Sequence, residues 1–113
     1  MKRGEVWTMS GGSDYAGKPR PVTIVQGDEY EATLSATVCL LTSDPTPAPM
    51  ARPVIAPSET NGLHAPSHAM VDKLTTVPKS KLGRRIGRLS DEDMTRLTRA
   101  MVVLLGIGAS ASR

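Results

Sequence analysis

The chain has 113 residues, a net charge of +3 and 39% apolar residues, but no Phe, one Trp and two Tyr. That length makes one domain with a small core of Val, Leu, Ile, Met and Ala, and a single cysteine excludes an internal disulfide. No stretch approaches the ~20 apolar residues of a membrane helix, and the start, Met1-Lys2-Arg3-Gly4-Glu5, lacks a secretory h-region, so the expected location is the cytoplasm with no membrane partner.

Short apolar runs separated by Gly and Pro predict many short strands. Glu5–Met9 reads as the first strand, with Val6 and Thr8 on one face and Trp7 on the other; a polar loop, Ser10–Pro19, follows. Pro21–Gln26 reads as the second strand. Its mouth, Lys18-Pro19-Arg20-Pro21, is unusual, because a residue before proline is pushed to extended backbone and a proline fits the first position of a strand. Arg20 is therefore a cation with little backbone freedom, suited to hold a phosphate, or else a solvated arginine in a Pro-rich turn. Gly27-Asp28-Glu29 starts a turn. Ala36–Thr42 is continuously apolar, as expected for a central strand covered on both faces.

Ser43–Met50 reads as a loop, Arg52–Ala56 as a short strand and Ser58–Gly62 as a turn carrying an Asn-Gly signal. His68–Lys73 reads as a strand that Leu74–Val77 continues or bends, Pro78–Leu82 as one helical turn and Arg84–Leu89 as the last strand. A helix starts after Ser90, a good N-cap followed by Asp91, Glu92 and Asp93 in the first turn. Met94, Leu97, Met101, Leu104 and Leu105 give it one apolar stripe, Gly106 and Gly108 end it, and 109–113 reads as a frayed tail. Absent βα alternation argues against a parallel α/β fold. The expected architecture is mainly β: a small antiparallel barrel or curved sheet closed by a C-terminal helix.

Standard catalytic sets are missing: no Walker loop, no paired-Cys motif, no His-Glu-x-x-His and no dinucleotide glycine pattern. Cys39 sits in an apolar run and reads as a small buried hydrophobe. His64 and His68 flank a proline, which does not suit helical metal pairing; their default reading is a surface loop, with catalysis or RNA contact as the alternative. Lys79, Lys81, Arg84, Arg85 and Arg88 fall within ten positions. They suit a polyanion such as nucleic acid, or an edge strand blunted by charge. The remaining candidates are Arg20 and the hydroxyls of Thr42 and Ser43. Together they form a set that needs no cofactor and no metal: the guanidinium stabilises a developing phosphorane, the hydroxyl orients a phosphate oxygen, and RNA brings its own 2′-OH nucleophile.

Arg3-Gly4-Glu5-Val6-Trp7, Arg20-Pro21-Val22, the run Ala36–Thr42, Asn61-Gly62-Leu63, the run Ala69–Leu74 and Leu82–Ser90 before the helix resemble, in order and spacing, the MazF/PemK (Kid) toxins of bacterial type II toxin–antitoxin systems. The resemblance spans about residues 2 to 107, and residues 1–108 are assigned to one toxin domain. It implies an SH3-like barrel of the CcdB/MazF/PemK type with a C-terminal helix, forming a homodimer. It also implies a metal-independent endoribonuclease that cuts single-stranded RNA, leaving a 2′,3′-cyclic phosphate and a 5′-hydroxyl. A cognate antitoxin would cover the RNA groove with a disordered tail. The family's active-site arginine falls on Arg20 and its Thr/Ser on Thr42. Ser43, Lys18, Pro21, His64, Arg84 and Arg85 are further candidates for catalysis or RNA binding. The chain departs from the pattern at Thr8-Met9-Ser10, where many members carry an acid, and in the length of the Ser10–Pro19 loop. A CcdB-like gyrase poison on the same fold is the alternative activity, although Gly106-Ile107-Gly108 is a poor rigid anchor for it.

Overall fold

A computed structural model describes residues 1–10, 19–45 and 52–108. Lys18 and the tail 109–113 therefore lie outside the described residues. Seven strands follow in chain order: β1 Glu5–Met9, β2 Arg20–Ile24, β3 Ser35–Thr42, β4 Val54–Ile55, β5 Ser67–Ala69, β6 Thr75–Pro78 and β7 Leu82–Arg88. Helix α1, Asp91–Leu105, closes the chain. The sheet order is β4-β5-β3-β2-β1-β7, with β6 also paired to β3. All these pairings are antiparallel, and the sheet curls around its own core.

β3 is the spine of the fold. Val38 faces one cluster with Val22 and Ile24, while Cys39 and Leu41 face another beneath α1 with Val6, Leu97 and Met101. Apolar side chains on both faces explain its unbroken apolar run, as expected for a central strand. The helix begins as its cap signals predict: the Ser90 hydroxyl accepts the Asp93 N–H at 3.1 Å. It ends at Gly106, whose φ of 67° is the left-handed conformation that closes a helix C-terminus without a Cβ clash. A single 3₁₀ turn at Lys79–Lys81 matches the expected helical turn before β7.

β2 ends two residues before the expected Gln26, β7 starts two residues before the expected Arg84, and three segments differ further from the sequence expectation. The predicted strand His68–Lys73 stops at Ala69, and Val71–Lys73 forms a 3₁₀ turn. The Lys73 N–H closes that turn on the Met70 carbonyl at 2.9 Å, and Val71 is fully buried in the core under α1. Packing against a helix here outweighs strand propensity. The predicted strand Arg52–Ala56 shrinks to Val54–Ile55, because Arg52 turns away to a bidentate ion pair with Asp72. The helical stripe is buried only at Leu97 and Met101, with Met94 half-buried; Leu104 and Leu105 are 39% and 59% exposed, where α1 runs past the core.

Candidate functional site

Strand pairing assembles the site. β2 and β3 pair with Val22 opposite Leu40 and Ile24 opposite Val38. Continued two residues, that register sets Arg20 level with Thr42. On either side, Met9 of β1 lies opposite Arg20 and His68 of β5 lies opposite Thr42. Arg20, Thr42 and Ser43 accordingly line one cleft of about 340 Å³, together with Pro21 and His64.

A second cleft of about 460 Å³ adjoins it, lined by Thr8, Arg84, Arg85 and Ile86, and shares Pro19, Pro21, Leu63 and His64 with the first. The two form one groove edged by three arginines, Arg20, Arg84 and Arg85. Two local features set its far wall. The β1–β7 register is irregular on both sides of Trp7, and there the Thr8 hydroxyl accepts the Arg84 N–H at 3.0 Å. The irregularity carries Arg84 and Arg85 onto the groove edge. A Cβ on Gly62 would lie 2.2 Å from the Ile86 carbonyl oxygen, so only glycine lets the 58–62 turn approach β7 this closely.

The Thr42 side chain is buried, and its hydroxyl accepts the Asp44 N–H at 3.1 Å. That contact uses a lone pair and leaves the hydroxyl hydrogen to donate to a ligand oxygen. Arg85 is steered by Glu5 at 3.7 Å, and Glu5 in turn accepts the Trp7 indole N–H at 2.9 Å. This buried carboxylate is a positioning contact that the strand pattern of Glu5–Met9 gave no reason to single out.

Other basic residues are committed elsewhere. Lys79 donates to the Glu31 carbonyl, and Arg88 lies 3.9 Å from Asp91. Arg52 is held by Asp72 at 2.8 Å, and that guanidinium keeps the Asp72 carboxyl below its ordinary range. Burial pushes the Cys39 thiol up to about 12, which leaves it protonated and inert as a nucleophile. No three His, Cys, Asp or Glu side chains gather to hold a metal ion among the described residues.

The sequence candidates thus divide. Arg20, Pro21, Thr42, Ser43, His64, Arg84 and Arg85 all line the joined clefts. Lys18 is outside the described residues. His68 is level with Thr42 but lines neither cleft.

A curled antiparallel sheet closed by a C-terminal helix thus carries an arginine-edged groove at its strand ends. Residues 2–105 match the model of the PemK-like, MazF-like toxins of type II toxin–antitoxin systems, and the chain belongs to that family. It is 48% identical over 107 residues to a probable endoribonuclease MazF of Mycolicibacterium smegmatis, covering 95% of this chain and 98% of that protein. The fold superposes on a mycobacterial endoribonuclease solved in complex with its cognate antitoxin, with a TM-score of 0.76 at 22% identity, covering 95% and 96% of the two chains. It also superposes on the Mycobacterium tuberculosis toxin MazF-mt6, with a TM-score of 0.69 at 26% identity, covering 88% and 96%. Among the described residues no helix is long and apolar enough to cross a membrane.

Proposed function

We propose that the protein is a toxin that cuts single-stranded RNA at the Arg20–Thr42 cleft without a metal ion. The observation that carries this reading is the placement of Arg20 level with Thr42 in one cleft of a basic groove. A phosphodiester seated there has its non-bridging oxygens between a fixed guanidinium and a hydroxyl donor. The RNA 2′-oxygen attacks the adjacent phosphorus, and the bond from phosphorus to O5′ breaks. Arg20 neutralises the charge that builds on the pentavalent phosphorus, and Thr42 donates to an equatorial oxygen. The products are a 2′,3′-cyclic phosphate and a 5′-hydroxyl end, and cleavage of messenger RNA halts translation and growth.

The active unit is a homodimer. Val102, Val103, Leu104, Leu105 and Ile107 are exposed at the end of α1, apolar side chains that a second copy of the chain would cover. A cognate antitoxin with a flexible tail holds the toxin inactive by covering the groove; a mycobacterial endoribonuclease of similar fold has been solved in complex with its cognate antitoxin.

The test is incubation of the purified protein with mixed-sequence single-stranded RNA in excess EDTA. Cleavage that leaves 5′-hydroxyl ends is expected. RNA left intact, together with inhibition of DNA gyrase, would favour a CcdB-like activity instead. Sedimentation at micromolar concentration should show a dimer; a 12 kDa species alone would contradict the assembly.

A further inference from the structure

Among the described residues, the Arg20, Thr42 and Ser43 set has an electrophilic side and no base. Attack by a 2′-OH requires its proton to leave, yet Arg20 is always protonated near neutral pH, and Thr42 and Ser43 are poor proton acceptors there. No carboxylate lines either cleft among the described residues. Among the described lining residues, His64 is the one of a type that titrates near neutral pH. It is exposed, and it belongs to both clefts, at the wall where they join. Its place is held from behind: the Asn61 side chain accepts the Leu63 N–H at 3.0 Å, and Arg88 donates its N–H to the Thr60 carbonyl at 2.7 Å. The sequence alone places His64 in a surface loop, with catalysis or RNA contact as the alternative.

The geometry points to His64 as the general base of RNA cleavage, taking the proton of the attacking 2′-OH. This rests on the reading of the cleft as an RNA-cleaving site. In the step, the neutral imidazole accepts the 2′-OH proton as O2′ bonds to phosphorus. The bond to O5′ breaks, its electron pair stays on O5′, and O5′ takes a proton from water. The imidazolium then returns its proton to solvent, so protons balance over the turnover. The charged and titratable groups around His64 are Arg20 from β2 and Arg84 and Arg85 from β7. Behind them, Glu5 of β1 lies 3.7 Å from Arg85, and His68 of β5 pairs with Thr42 of β3.

The experiment measures single-turnover cleavage of a single-stranded RNA in EDTA from pH 5 to 8, for the wild type, His64→Gln, His64→Ala, His68→Gln and Arg20→Ala. The wild type should show an acidic limb in the rate. His64→Gln should lose that limb and fall at least ~10²-fold at pH 7.5, the lower scale for removing a general base. Added imidazole should restore part of the activity of His64→Ala, in proportion to its neutral form; a residue that only shapes the groove gives no such rescue. His68→Gln should behave as the wild type. An unchanged rate and limb in His64→Gln, a weaker KM with kcat intact, or a limb that disappears with His68 would overturn the assignment. Inactive Arg20→Ala beside fully active His64→Gln would remove only the base and leave the cleavage reading standing. Wild-type protein that leaves RNA intact would remove both.

Discussion

Replacing Asn61 with alanine tests whether one buried side chain holds the groove wall. Asn61 is 2% exposed. Its Oδ1 accepts the N–H groups of Ser58 and Leu63, both at 3.0 Å, and its Nδ2 donates to the Ala56 carbonyl at 2.9 Å. Alanine leaves all three backbone groups without that partner. At ~1 kcal/mol net for each hydrogen bond, the loss is ~3 kcal/mol, a large share of the 5–15 kcal/mol that stabilises an ordinary domain. With a urea m-value of about 1–3 kcal/mol/M, the midpoint should fall by about 1–3 M at unchanged m. RNA cleavage should weaken in kcat as well as KM, because Leu63 and His64 follow directly on the released turn. A loss under ~1 kcal/mol would refute the reasoning, and would assign the turn to its backbone contacts, Gly62 N–H to Ser58 and Arg88 N–H to Thr60.

Gly87→Ala should also open the groove, because its Cβ would lie 2.4 Å from the Asn61 carbonyl carbon and 2.5 Å from the Thr60 oxygen; a cost of ~2 kcal/mol or more is expected in urea unfolding, and a neutral result would contradict it. Thr23→Val should raise stability by ~1 kcal/mol, since the Thr23 hydroxyl is buried with no partner among the described residues; a melting temperature about 4 °C higher is the expected readout, and a lower one would reveal a contact for that oxygen. The Glu31 carboxyl, bonded by Lys2 at 2.7 Å and by the Met1 amine at 2.8 Å, is held at about 2. Its folded value is depressed, so its contribution to stability is present above pH ~4.5 and is lost as pH falls through about 2. Glu31→Gln should therefore flatten the fall in urea midpoint between pH 5 and 2, more so at low salt than at high salt; parallel curves for the two proteins would count against the pairing.

What the sequence disclosed tracks how local the physics is. β1 has the predicted bounds, Glu5–Met9, and α1 starts one residue after its Ser90 cap, because alternation and capping are written in adjacent residues. The 3₁₀ turn at Val71–Lys73 was hidden because it depends on Leu97 and Met101 of a helix some twenty-five residues further on. Arg52 looked like part of a strand because its partner, Asp72, is twenty residues away. Arg20 and Thr42 could be singled out by residue type, but only the β2–β3 register sets them level. Asn61-Gly62 announced a turn correctly. Nothing local shows that the Asn61 side chain is buried, or that the turn delivers His64 to the cleft, since both follow from the close approach of β7.

The most direct test of the account is the cleavage rate of Arg20→Ala in EDTA. The variant should fold as the wild type does, because Arg20 sits at the open end of β2 outside both core clusters. It should cut single-stranded RNA at least ~10²-fold more slowly, the scale for removing one donor from an oxyanion site. A folded Arg20→Ala protein that cuts RNA at the wild-type rate would contradict the account at its centre.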